Sequence, residues 1–372
     1  MTDARLDSYP FSQLLATVED MTGGSGSPVD PSPRESLIVS GHSEDDLVSV
    51  LRRILSGDAP GVFLGPGDDA ALVEMGPHLG ILTVDMMVED VHFDRRLVSP
   101  HDLGYKAVAV NVSDVAAMGG SPRYGLVALA IPADLPASWV VELYGGIREG
   151  ADAYAMAVVG GDTSRAERIV VSVTVTGEVS RGAAVTRSGA SPGDRIVVTG
   201  ALGASAAGLR LATAPPAEVS ALVSTDWGRD LVASHTRPVA RVGEGQALAS
   251  AGATAMIDLS DGLAKDLGRL CRESGVGARL SLASLPVAPG VREVADALRL
   301  DTLGIALGGG EDYELLATLP EDAVEPAATR LADRFATALT QIGVITEGPD
   351  LVAVGADGER QLEPQGWDHF AG

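Results

Sequence analysis

The 372-residue chain contains a single cysteine, Cys271. One thiol cannot form a disulfide within the chain, and its solitude excludes a zinc site built from several cysteines. The neighbouring Leu267 and Leu270 place Cys271 on an apolar helix face. We therefore expect a buried core residue there rather than a nucleophile.

Long apolar runs and basic residues are also scarce. No apolar stretch reaches the ~18 residues of a transmembrane helix, and the first ten residues lack the basic start and apolar stretch of a signal peptide. We therefore expect a cytoplasmic protein. The 27 Lys and Arg residues stand against 51 Asp and Glu residues, a net charge of −24. Such a surface repels nucleic acids and anionic membranes, which argues against both as partners.

Helical and strand periodicities alternate along most of the chain, which predicts an α/β (α+β) fold of two mixed domains. Residues 1–42 include a Gly-, Ser- and Pro-rich run over 23–33, so we predict a flexible arm there, with a short helix near 11–19. A turn-rich stretch over 181–194 predicts a boundary between a domain at 43–181 and a second domain at 182–372.

The predicted elements follow from capping residues and apolar spacing. Ser43 caps a first helix, and Ser99-Pro100 opens a long helix that ends near Met118. Further helices are predicted at 138–154, from 204, and at 238–250, 262–274, 290–298 and 321–334. Strands are predicted at 70–74, 80–87, 124–131, 155–159, 168–178, 195–199, 254–258, 312–318, 340–346 and 351–354.

Acidic residues recur beside glycine-rich turns where predicted strands end or helices begin. The segments are GPGDDAA (65–71), TVD (83–85), NVSDVAAMGG (111–120), GGDT (160–163), DLSDGL (258–263) and GGGEDYEL (308–315). Hard carboxylate oxygens suit Mg2+, which bridges polyphosphates, and glycines let backbone approach phosphate closely. Taken together, these segments indicate magnesium-dependent nucleotide chemistry.

Each segment taken alone has a plainer explanation. The pair Asp68-Asp69 fits a surface turn, and a lone His92 is more often structural than functional. Asp114 stands in an apolar helix, where a metal, a helix cap and a salt bridge with Lys106 are all compatible with the sequence. The glycine-rich turn at 200–209 exposes helix amides that could bind an anion, but strand-to-helix packing explains it nearly as well.

The ordered motifs GDDAA, TVDMMVEDVHF, NVSDVAAMG, GGDT, TRSGASPGD, DLSDGL and GGEDYEL, with the closing GWDHF, resemble the thiamine-monophosphate kinase family of the aminoimidazole ribonucleotide synthetase superfamily. The resemblance runs from about residue 43 to the end of the chain. It implies a two-domain α/β fold and a homodimer formed through the amino-terminal domain. It also implies ATP as co-substrate, Mg2+ as cofactor and thiamine monophosphate as acceptor.

The resemblance also implies roles for individual residues. Asp114, Asp162 and Arg187 would be the catalytic residues. ATP would be contacted by Tyr144, Gly161, Asp162, Arg187 and Ser260, and thiamine monophosphate by His92, Glu311 and Trp367. Magnesium would be held by Asp69, Thr83, Val84, Asp85, Asp114, Asp162, Asp258 and Asp261. Because Val84 stands where the family often has a hydroxyl residue, only its backbone carbonyl could contact a metal.

An acceptor phosphate is already ionised at neutral pH, so the implied reaction needs alignment and charge neutralisation rather than a general base. The expected reaction is therefore direct in-line transfer of the γ-phosphoryl group of ATP, which gives thiamine diphosphate. Two alternatives stay open at this point. One is another ATP-using enzyme of the superfamily, such as aminoimidazole ribonucleotide synthetase, and the other is a non-catalytic nucleotide-binding protein.

Overall fold

The computed structural model describes residues 43–55, 59–363 and 365–369. The predicted arm at 1–42, its predicted helix near 11–19, and Phe370 of the closing motif lie outside these ranges. Among the described residues, no helix combines the length and the apolar character that crossing a membrane requires.

The amino-terminal half is built on a six-stranded sheet. Its strand order is β1-β2-β3-β6-β4-β5, and all neighbours are antiparallel except the parallel pair β4 and β5. The elements are α1 (Glu44–Ile54), β1 (Val62–Leu64), β2 (Ala71–Met75), β3 (His78–Val88), α2 (Pro100–Ala117), β4 (Ser121–Ile131), α3 (Ala137–Ala153), β5 (Ala157–Arg165) and β6 (Val170–Ser180).

The carboxy-terminal half is built on a seven-stranded sheet in the order β13-β12-β9-β11-β7-β10-β8, in which only β12 and β9 are parallel. Its strands are β7 (Arg195–Thr199), β8 (Ala255–Asp258), β9 (Gly277–Ser281), β10 (Leu315–Leu319), β11 (Leu339–Thr346), β12 (Leu351–Gly355) and β13 (Gly358–Gln361). Its helices are α4 (Ala204–Thr213), α5 (Pro216–Val223), α6 (Asp226–Thr236), α7 (Val242–Ser250), α8 (Leu263–Ser274), α9 (Val291–Leu298), α10 (Thr302–Gly308) and α11 (Glu321–Phe335), with a 3-10 turn at Leu282–Ser284.

Helix α2 lies between the two halves and is buried on nearly every side. Val115 and Met118 belong to the amino-terminal core, whereas Ala116 and Ala117 pack in a core with residues of β7, β8 and α7. Helix α2 therefore carries its polar side chains to the junction of the two halves.

The predicted fold class is confirmed by these two mixed sheets. The Ser99 side chain accepts a hydrogen bond from the Asp102 amide and caps α2, as predicted. Strand β5 runs through Gly160 and Gly161 to Arg165, so the prediction that it ends before the glycines was wrong. Helices α5 and α6 were not predicted, because Gly228 and the segment Thr213–Pro216 interrupt their apolar spacing.

Candidate active site

Three carboxylates converge at the junction of the two halves. Asp69 precedes β2, Asp114 lies in the last turn of α2, and Asp258 ends β8. One oxygen of each lies within 4.8 Å of the other two. Burial and mutual repulsion raise the pKa values of Asp114 and Asp258 well above their usual range. Such a cluster of hard oxygens fits a divalent cation such as Mg2+.

Each carboxylate of the cluster is oriented by one hydrogen-bond donor. Thr83 Oγ1 donates to Asp114 at 2.5 Å, and Ser113 Oγ donates to Asp258 at 2.6 Å. The Arg187 guanidinium donates to Asp69 Oδ1 at 2.5 Å. The other oxygen, Asp69 Oδ2, is buried and has no hydrogen-bond partner among the residues that the structure describes. A buried carboxylate oxygen without a donor is costly, and a bound cation would satisfy it.

The turn at Asp68-Asp69 is held by Arg187 as well. The Arg187 amide donates to Asp68 Oδ2 at 2.9 Å, and the Asp69 amide donates to Asp68 Oδ1 at 2.9 Å. Burial and the neighbouring Asp69 charge raise the pKa of Asp68 to about 6. Asp68 therefore shapes the turn, while Asp69 faces the cluster, so this segment is more than a plain surface turn.

Asp85 borders the three-carboxylate cluster, and the Asp261 charge in turn acts on Asp85. The Asp85 amide donates to Asn111 Oδ1 at 2.8 Å, and the Asp85 charge contributes to the raised pKa of Asp114. Asp261 forms ion pairs with Arg269 at 2.6 Å and with Lys265 at 3.2 Å. Asp261 thus already has two cationic partners.

Asp162 lies apart from the other predicted metal residues. In the register of the sheet, Asp85 aligns through Val173 and Val127 with Gly161, so Asp162 points to the opposite face of the sheet. A Cβ on Gly161 would lie 1.9 Å from the Val127 carbonyl oxygen, so contact with β4 alone requires glycine there. The Val84 side chain is exposed on the same outer face as Asp162.

Tyr144 lines an open, largely apolar groove of about 610 Å³ between α3 and the ends of β4 and β5. The groove is bordered by Val140 and Val141 on α3 and by Ser164 and Arg165 on β5. Its lining is mostly apolar, with Arg165 as a cation among the lining residues, and such a lining is typical of sites for small ligands.

A second group of side chains forms beside the carboxylates. The His92 ring lies 4.9 Å from the His369 ring, which in turn lies 5.7 Å from the half-exposed Trp367 ring. The Glu311 charge acts on His92, although burial and His369 together lower the His92 pKa. The structure therefore brings together His92, Glu311 and Trp367, and adds His369 from the same closing motif.

The loops that carry Ser260 and Glu311 pack against each other through their backbones. The Glu311 amide donates to the Ser260 carbonyl at 2.7 Å, and a Cβ on Gly310 would lie 2.6 Å from that same oxygen. Glycine at 310 is therefore required by the contact between the two loops. Contact with ATP through Ser260 stays a prediction.

The glycine-rich turn before α4 is already satisfied by protein atoms. Asp312 accepts hydrogen bonds from the amides of Gly203 at 2.7 Å and Ser205 at 3.1 Å. The amides of this turn therefore bind a carboxylate of the protein itself. Its helix amides are capped by a carboxylate and do not face an open anion site.

The sequence allowed an ion pair between Lys106 and Asp114, but the structure does not show it. Its ammonium group lies 2.7 Å from Glu311 Oε1 and donates to the His235 carbonyl at 2.9 Å. His235, Asn111 and Ser113 were not singled out from the sequence. Ser113 and Asn111 lie within the NVSD motif, but His235 gave no sequence signal because its partners are remote in the chain.

The amino-terminal family model of the AIR synthase related proteins matches residues 67–179, and the carboxy-terminal model matches residues 191–355. These matches define the class: a two-domain protein of the AIR synthase related type.

Full-length relatives narrow this class. The chain is 38% identical to the thiamine-monophosphate kinase of Bacillus subtilis over 83% of this chain and 94% of that protein. It is 39% identical to that of Escherichia coli K12 over 83% and 93%. A structure titled AaThiL complexed with AMPPCP and TMP superposes with a TM-score of 0.75 at 34% identity, over 88% of this chain and 97% of the other. The chain therefore belongs to the thiamine-monophosphate kinase family.

Proposed function

We propose that the protein phosphorylates thiamine monophosphate to thiamine diphosphate, with ATP as phosphoryl donor and Mg2+ as cofactor. The main support for the proposal is the arrangement of side chains where the two halves meet. The buried three-carboxylate cluster lies next to the group of His92, Glu311 and Trp367, because the loop that follows Asp258 accepts hydrogen bonds from the amides of Glu311 and Trp367. The family relatives and the complex with AMPPCP and TMP support the same assignment.

Magnesium would be held by Asp69, Asp114 and Asp258, with Thr83, the Val84 carbonyl, Asp85, Asp162 and Asp261 as further contributors. When bound, Mg2+ would neutralise the charge on the phosphates of donor and acceptor. The chain's own residues orient this site: Thr83 and Ser113 fix two carboxylates by hydrogen bonds. Because Asp162 lies on the opposite face of its sheet, it would contact the same ions only after a movement of β5, or in the site of a partner subunit.

Arg187 is the natural cation for the moving phosphoryl group. It is held against Asp69 with its side chain 18% exposed, so it is pre-oriented at the carboxylate cluster. A guanidinium donates two parallel hydrogen bonds to phosphate oxygens, which stabilises the charge that develops in transfer. Tyr144 and Gly161 would contact ATP, and the apolar groove beside Tyr144 fits an adenine ring.

The acceptor would lie among His92, Glu311 and Trp367. The Trp367 ring is half exposed, so its face can stack on the cationic ring of thiamine. The Glu311 carboxylate can complement the same positive charge. No residue in this group needs to remove a proton, because the attacking group is a phosphate that is already ionised.

The decisive experiment measures ADP release from Mg-ATP with thiamine monophosphate and identifies the product by chromatography. We expect thiamine diphosphate, formed only when Mg2+ is present. Absence of product from a folded sample that still binds Mg-ATP would contradict the acceptor assignment. Aminoimidazole ribonucleotide synthesis would then be assayed, and ATP binding without turnover on either acceptor would indicate a non-catalytic nucleotide-binding protein.

The cytoplasmic location stays a prediction.

We also propose a homodimer formed through the outer face of the amino-terminal sheet. Leu82 and Val84 on β3 align in register through β6 with Tyr124 and Leu126 on β4, Met86 follows on the same face of β3, and all five are exposed. Five exposed apolar side chains on one sheet face, separated only by the serine and threonines of β6, indicate an interface.

We expect Met86→Glu to yield monomers in light scattering, because it buries a charge in the apolar contact. Leu300→Glu, which changes an exposed leucine of the carboxy-terminal half, should leave the mass unchanged. A monomeric wild-type protein, or a dimer that Met86→Glu leaves intact, would refute this interface.

A further inference from the structure

Glu311 is held from both sides by two buried residues that the proposed reaction does not use. Its loop connects α10 and β10, and its backbone takes the left-handed φ of +68°, which is strained for a residue with a side chain. One carboxylate oxygen lies 2.7 Å from the Lys106 ammonium group, and the other lies 3.2 Å from His235 Nδ1. Both oxygens therefore have a fixed partner.

The partners are themselves fixed. The Lys106 side chain is 1% exposed and lies on α2 of the amino-terminal half, while His235 lies near the end of α6 in the carboxy-terminal half. Lys106 also donates to the His235 carbonyl at 2.9 Å, and His235 Nδ1 lies 3.1 Å from Ser205 Oγ. A buried ammonium group is stable only when it is paired, so this network links both halves to one carboxylate.

Glu311 nevertheless keeps part of its surface open. Its side chain is 29% exposed, and its charge acts on His92 beside the closing Trp367 segment. Burial alone would raise the Glu311 pKa, but Lys106 and His235 lower it to about 2. The carboxylate is therefore charged throughout the neutral range and is presented to the acceptor group of side chains.

We propose that Lys106 and His235 are positioning residues that hold the Glu311 carboxylate in the orientation that binds the cationic part of thiamine monophosphate. The inference rests on the proposed function and extends it: the network sets affinity for the acceptor and leaves the ATP site unaffected. A purely structural network would join the two halves and would change stability without selecting one substrate.

The test compares Lys106→Met, His235→Asn and Glu311→Gln in steady-state ADP release, with KM measured separately for thiamine monophosphate and Mg-ATP. We expect Lys106→Met to raise KM for thiamine monophosphate about tenfold or more, the loss that one oriented charge contact of ~1.4 kcal/mol gives. KM for Mg-ATP should stay within about twofold, a difference of only ~0.4 kcal/mol. His235→Asn should act in the same direction with a smaller effect.

A double-mutant cycle separates positioning from general damage. In the Glu311→Gln background, Lys106→Met should add little to the acceptor KM, because the charge it orients is already gone. Arg241→Met is the matched control. It breaks another partly buried ion pair, with Glu314 at 2.5 Å, and should lower the melting temperature without changing the acceptor KM.

Equal increases in both KM values, or an undiminished effect of Lys106→Met in the Glu311→Gln background, would overturn the inference. If Lys106→Met does not fold, His235→Asn tests the same carboxylate through its other oxygen. A wild-type protein without activity on thiamine monophosphate would refute the proposed function, and this inference with it. An active wild type whose acceptor KM is insensitive to both variants would refute the inference alone.

Discussion

At the scale of single residues, Asp114 shows that a cation site costs the protein stability when no cation is bound. Its carboxylate is close to those of Asp69, Asp85 and Asp258, and within the described part of the chain only the Thr83 hydroxyl donates a hydrogen bond to it. Burial and like charges make its ionised form unfavourable without a cation. The same arrangement becomes favourable when a divalent ion is shared among the carboxylates.

We predict that Asp114→Asn lowers turnover at least about 100-fold, a loss of ~2.7 kcal/mol of transition-state stabilisation, while the fold is retained. The amide also removes one repelling charge, so the melting temperature without Mg2+ should not fall. The increase in melting temperature on adding Mg2+ should shrink, which provides a readout independent of activity. Asp333→Asn, an exposed change on α11, should alter neither quantity. Near-normal turnover in Asp114→Asn would refute its metal role.

Helices α2 and α3 show, at the scale of elements, how small residues position the site. A Cβ on Gly146 of α3 would lie 1.7 Å from the His101 carbonyl oxygen of α2, and one on Gly104 would lie 2.0 Å from the Leu143 carbonyl oxygen. The two backbones are therefore in direct contact. Because α2 carries Asp114 and Lys106 and α3 carries Tyr144, this contact fixes both sides of the site.

We predict that Gly146→Ala destabilises the protein by about 1–3 kcal/mol or more, because the added methyl group must separate the two helices. The neighbouring Gly145 provides the control. It is exposed, and a Cβ there would approach only the His101 ring, at 3.2 Å. Gly145→Ala should therefore change the free energy of unfolding by less than about 1 kcal/mol. Urea unfolding measures both, and equal effects would contradict the proposed helix contact.

Buried acids with raised pKa values lie throughout the molecule. Burial, with the Asp261 charge, raises the pKa of Asp266 to about 7, and burial raises the pKa of Asp312 to about 7. Such acids bind more protons in the folded state than in the unfolded state. The folded protein therefore loses stability as the pH rises through their folded pKa values, and the net charge of −24 acts in the same direction.

We predict that, in EDTA, the free energy of unfolding rises by about 1–2 kcal/mol when the pH is lowered from about 8 to about 6.5. Below about pH 6.5 the stability should keep rising, because these acids reach their full excess of bound protons only below their folded pKa values, while the lowered pKa of His92 opposes part of the rise. Urea unfolding at several pH values measures the profile. A stability that is constant or increases from pH 6.5 to 8 would contradict it. Asp266→Asn, which removes one of these acids, should flatten the slope.

The class of fold and many of the site residues could be predicted from the amino-acid sequence. Capping at Ser99, the apolar character of α2 and the strands around β7 and β8 are local properties, so they can be read from neighbouring residues. The acids at strand ends indicated a cation site, because their position beside glycine-rich turns is also a local property of the sequence. The burial of Cys271 was also predicted correctly, since Leu270 is adjacent to it and Leu267 lies one helical turn before it.

Only the tertiary structure decided which of these residues meet. It joins Asp69, Asp114 and Asp258 across the two halves and sets Asp162 on the other face of its sheet, because a side chain's face depends on the strand register. It pairs Lys106 with Glu311 instead of Asp114, although Glu311 is remote in the chain. A buried charge takes the partner that packing brings within reach, and the sequence does not record that distance.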